Sequence, residues 1–83
     1  MREALRAYIL QNFMFGATPA ELDDDASLLE SGILDSTSVL EMILDLEETY
    51  GVSVDATELV PENLDSVNRL CAFLGRKGVP VGA

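Results

Sequence analysis

Eighty-three residues suffice for one domain with a modest core, and 48% of them are apolar, too many for a disordered chain. Five bases stand against fifteen acids, a net charge of -10, and from Ala7 to Asn68 there are fourteen acids and no base. A field of one sign over a small domain repels nucleic acid and anionic membranes and attracts basic protein surfaces, so neither of the first two is an expected partner.

The first fifteen residues set Leu5, Tyr8, Ile9 and Phe13 on one helical face, with Gly16 as a stop and Pro19 beyond it. Residues 17–35 are rich in turn formers and acids, with Leu22, Leu28, Leu29, Ile33 and Leu34 as apolar anchors. So long a connection in a small domain either has a function or is pinned by such anchors. A second helix is predicted from Ser36 to Tyr50, with Asp35 or Ser36 as its cap. Val39, Ile43, Leu46 and Tyr50 form its core stripe, and Gly51 ends it in a left-handed turn. Residues 52–64 read as a loop with one short helical turn near Pro61. Val52 and Val54 favour a strand, but a lone strand has no partner. The last helix is predicted over 66–76, with Val67, Leu70, Cys71 and Leu74 inward, Asp65 or Ser66 at its start and Gly75 and Gly78 at its end. The fold class is therefore all-α: a small four-helix bundle with three main helices and a short third one. A single domain is expected over 1–83, with its core over about 3–75 and residues 76–83 as a flexible tail.

The chain lacks the parts of most catalytic machinery. Without histidine there is no Ser-His-Asp or Cys-His arrangement. Cys71 lies on an apolar stripe, where a buried structural thiol is the expected role, and as the single cysteine it cannot close an internal disulfide. No set of zinc ligands and no glycine-rich phosphate loop is present. Asp23, Asp24 and Asp25 lack the alternating ligands, central Gly and closing Glu of a calcium loop and read as a solvated turn. No apolar run approaches the ~18 residues that span a membrane. A cytoplasmic, monomeric protein that works on behalf of other proteins, and not as an enzyme, is expected.

The segment GILDSTSVLEMILDLEETYG, residues 32–51, holds the candidate function. Ser36 stands at a helix entrance after a long loop, where a hydroxyl projects from the bundle, and a phosphodiester there would lie near free N–H groups and the positive end of the helix dipole. Glu41, Asp45 and Glu48 follow at offsets of 0, 4 and 7, with Glu47 beside them. Like charges so spaced cost roughly 0.2–0.5 kcal/mol per pair, which favours a docking face for basic partners over a surface chosen for stability.

Residues 28–54, LLESGILDSTSVLEMILDLEETYGVSV, resemble the core of the acyl carrier protein family, including its Asp-Ser motif and its Glu-Glu-x-aromatic-Gly ending. The resemblance covers about residues 3 to 75. It implies a four-helix bundle whose Ser36 receives a covalent 4'-phosphopantetheine from coenzyme A through a magnesium-dependent phosphopantetheinyl transferase, with Asp35 as motif partner. It further implies that Glu41, Asp45, Glu47 and Glu48 meet basic surfaces on a loading ligase or acyltransferase and on downstream biosynthetic enzymes. The cargo, acyl or aminoacyl, would hang as a thioester from the arm. The family usually has leucine after the serine as an apolar partner contact; here Thr37 stands there, and Leu34, Leu40 and Leu44 are the candidates to supply that contact. The stretch ELVPENLDSVNRLCAFL is more similar to free-standing carriers of specialised or aminoacyl pathways than to the fatty-acid type. The alternative reading is a non-covalent acidic adaptor that binds basic partners through the second helix.

Overall fold

A computed structural model describes residues 2–79. Its helices are α1 (Arg2–Phe13), α2 (Ser36–Tyr50), α3 (Pro61–Leu64) and α4 (Val67–Arg76), with 3-10 turns at Pro19–Glu21 and Ala56–Glu58. No strand forms among the described residues, Val52 and Val54 included. The all-α architecture, three main helices and a short third, is the one predicted.

The core shows why these helices assemble. Leu5 and Ile9 of α1, Met42 of α2 and Val67, Leu70 and Leu74 of α4 have no exposed surface. Fully burying one such side chain contributes about 1.5–3 kcal/mol, so the stripes hold the short helices together where intrinsic helix propensity would not. The predicted stripe on α2 is rotated: Met42, Ile43 and Leu46 are buried, while Val39 and Tyr50 are half-buried. On α4 the buried arc is wider than the predicted one and includes Phe73, because this helix packs against both α1 and α3.

The long connection is pinned by apolar anchors and by charge. Leu22, Leu28 and Leu34 are buried and Ile33 is half-buried, whereas Leu29, expected as an anchor, is 38% exposed. The Arg6 guanidinium donates to the carbonyls of Leu22 (2.8 Å) and Pro19 (2.6 Å) and pairs with Asp24. Arg2 also reaches Asp24, at 3.1 Å, and bonds Asn68 on α4, which in turn donates to Asp25. The triple aspartate forms the turn expected, with Asp23 and Asp25 exposed and Asp23 accepting the Asp25 N–H at 2.9 Å, but Asp24 is in addition half-buried and ion-paired as a clasp.

Gly75, expected to end the last helix, lies inside it; Lys77 caps α4, and Gly78, at φ 95°, takes the left-handed turn after it. Of the tail expected over 76–83, Arg76 and Lys77 bond to Asn63 (2.7 Å) and Glu58 (3.0 Å), and Val79 is buried. Residues 80–83 lie outside the described residues.

Candidate functional site

The N-terminus of α2 is built by Asp35, whose backbone is extended and whose carboxylate accepts the Ser38 N–H at 2.8 Å. Asp35, and not Ser36, is the cap. Its side chain therefore has a local structural reason, and the Ser38 bond, followed by weaker help from the Thr37 N–H, holds the carboxyl below its ordinary pKa. The Val39 N–H is also taken, by the Asp35 carbonyl at 2.9 Å. Of the donors at this helix start, those of Ser38 and Val39 are thus already engaged. Ser36 follows as the first helical residue and is exposed, as is Thr37.

Beyond Ser36, α2 presents two kinds of surface. Leu40 and Leu44 are 52% and 65% exposed, an apolar pair four residues apart. Glu41, Asp45 and Glu48 are exposed, and none of them forms an ion pair among the described residues. The five bases lie elsewhere, each bonded to a loop, to α3 or to α4. On α1, the Tyr8 hydroxyl has its pKa raised, first by burial and then by the negative charges of Asp45 and Glu41.

Two expected partner contacts sit differently. Leu34 is only 2% exposed, because it turns inward as a loop anchor, so it is a core residue and no surface contact. Glu47 is half-buried, and its carboxylate accepts the Val54 N–H at 2.9 Å, which ties the segment after Gly51 to α2.

The structure adds a feature the sequence did not announce. An apolar groove of about 340 Å³ opens beside Ser36, lined by Leu29, Val39, Leu40, Leu59, Val60, Pro61 and Leu64. Its walls come from the loop before α2, from α2 itself and from the distant stretch 59–64. The one local signal was the Pro61 helix start, which places Leu64 inward.

A family model described as the phosphopantetheine attachment site matches residues 4–74, most of the chain. The chain belongs to the phosphopantetheine-binding carrier family. Among similar proteins, the D-alanyl carrier protein of Abiotrophia defectiva is 33% identical over 55 residues, which is 66% of this chain and 70% of that protein. That of Streptococcus suis is 29% identical over 62 residues, 75% of this chain and 76% of the other. A chain in a crystal structure described as that of an FAD-dependent dehydrogenase superposes with a TM-score of 0.74 at 33% identity, over 84% of this chain and 97% of that one. As a member of this carrier family, the protein has a phosphopantetheine attachment and is a carrier rather than a catalyst. Such a carrier requires a phosphopantetheinyl transferase and a loading enzyme as partners. No helix among the described residues is long and apolar enough to cross a membrane.

Proposed function

We propose that Ser36 bears the phosphopantetheine and that the protein delivers a small aminoacyl or acyl cargo to partner enzymes that dock on α2. The observation that carries this reading is the exposed Ser36 hydroxyl at the head of an unpaired acidic helix, next to a cap residue that fixes its position. The residues fit such a group: Ser36 offers the only atom that must be esterified, and the groove beside it gives an apolar bed bounded by Val39, Leu40 and Leu64. When bound, the group supplies a thiol on which cargo rides as a thioester. The chain's own part is positioning, because Asp35 locks the first turn of α2 and the core holds that helix rigid.

The relatives are D-alanyl carrier proteins, which supports an aminoacyl load with D-alanine as the first to test. Glu41, Asp45 and Glu48, with Thr37, Leu40 and Leu44, form the face that basic docking surfaces on the transferase, ligase and downstream enzymes meet. Complementary charge of this kind speeds encounter and selects partners more than it adds affinity. A cytoplasmic setting, where coenzyme A is the donor, completes the reading.

Incubation with coenzyme A and a broad-range transferase tests it by mass. The wild type gains one phosphopantetheine and Ser36→Ala gains none, whereas an equal gain in both would remove Ser36 from its role. Retention of all partner binding and pathway activity by Ser36→Ala would favour the non-covalent adaptor instead.

A further inference from the structure

We propose that Asp65 is a positioning residue that holds the wall of the groove beside Ser36 and thereby sets how well cargo on that serine is shielded; the proposal rests on the Ser36 reading above. Asp65 stands between α3 and α4, far in sequence from the 17–35 connection, yet it makes three bonds to it. The Ser27 hydroxyl donates to Asp65 Oδ2 at 2.6 Å, the Leu29 N–H donates to Oδ1 at 2.9 Å, and the Leu28 N–H donates to the Asp65 carbonyl at 3.0 Å.

The placement of those bonds matters. Leu29 and Leu64 are both walls of the groove, and Leu64 is the residue next to Asp65. Leu28 is fully buried and would anchor the segment by packing alone. Leu29 has no such anchor, since its side chain is 38% exposed, and the bond from its N–H to Asp65 is what fixes its direction. A carboxylate accepting one N–H and one O–H holds two positions of the loop, Ser27 and Leu29, at once, and bonds to a charged acceptor are the stronger kind. Asp65 thus ties the loop wall to the α3 wall at a fixed separation. An apolar chain folding back from Ser36 finds a formed groove instead of a loose one.

The test uses the full chain loaded from acetyl- and hexanoyl-coenzyme A, with the rate of thioester cleavage by hydroxylamine as the readout. In the wild type the hexanoyl thioester is cleaved more slowly than the acetyl one. In Asp65→Ala the hexanoyl rate rises to the acetyl rate, which itself does not change. Asp65→Asn, which keeps an oxygen for the Leu29 N–H, retains most of the difference. A purely structural role would move neither rate in a folded variant, and Ser27→Ala, which removes one bond only, gives partial loss should Asp65→Ala fail to fold. Equal rates for both thioesters in the wild type, or an unchanged ratio in Asp65→Ala, would overturn the proposal. Failure of the wild type to load at all would instead sink the Ser36 reading.

Discussion

Asp35 ties the stability of α2 to pH through one hydrogen bond. Its carboxyl titrates below the ordinary carboxylate range because the folded helix offers it the Ser38 N–H, and Glu58 is lowered in the same sense, first by the Asp55 N–H and then by Lys77. A group with a depressed folded pKa stabilises the fold above its unfolded value and loses that contribution as pH falls through the folded one. Thermal unfolding followed from neutral pH into the acid range should therefore show wild-type stability converging on that of Asp35→Ala. A constant gap between the two at all pH values would remove the cap from the account. Ser66 caps α4 in the same way, its buried hydroxyl accepting the Arg69 N–H at 3.0 Å. Ser66→Ala should cost about 1 kcal/mol in denaturant unfolding.

At the level of elements, α2 was the most legible part of the sequence. Its bounds, its acidic face and its Gly51 stop follow from 3.6-residue spacing and one glycine. Gly51 sits at φ 68° with open space where a Cβ would stand, so Gly51→Ala carries only the conformational cost, about 1 kcal/mol by chemical denaturation. Spacing gives a face but not its neighbours, which is why Met42 rather than Val39 proved fully buried: the groove leaves Val39 partly open. Leu34 and Leu29 were harder still. Both lie in a connection without periodicity, where inward and outward positions depend on partners such as Asp65 that sequence spacing does not reveal. The charges on α2 lead to a kinetic expectation. Reversing Glu41, Asp45 and Glu48 to lysine should raise the transferase KM with little change in kcat, and the defect should shrink at high salt. A fall in kcat alone would place these residues outside docking.

Across the whole molecule, charge is segregated. The bases of α1, α4 and the residue after α4 are engaged with loops and neighbouring helices, while the acids on the outer face of α2 have no partner ion among the described residues. With a net charge of -10, self-repulsion opposes compaction, so added salt or a divalent cation should raise the melting temperature. Indifference to both would mean that the acids are too dispersed to repel. The segregation is also compatible with so small a core: α4 carries the largest buried share, and α2 packs through Met42, Ile43 and Leu46 while its acids stay on the outer face. Tandem mass spectrometry of the transferase product bears most directly on this division of labour. The added group should map to the peptide containing Ser36 and to that residue alone. Its appearance on Ser27, Ser31 or Ser38, or no added mass in a folded sample, would contradict the account.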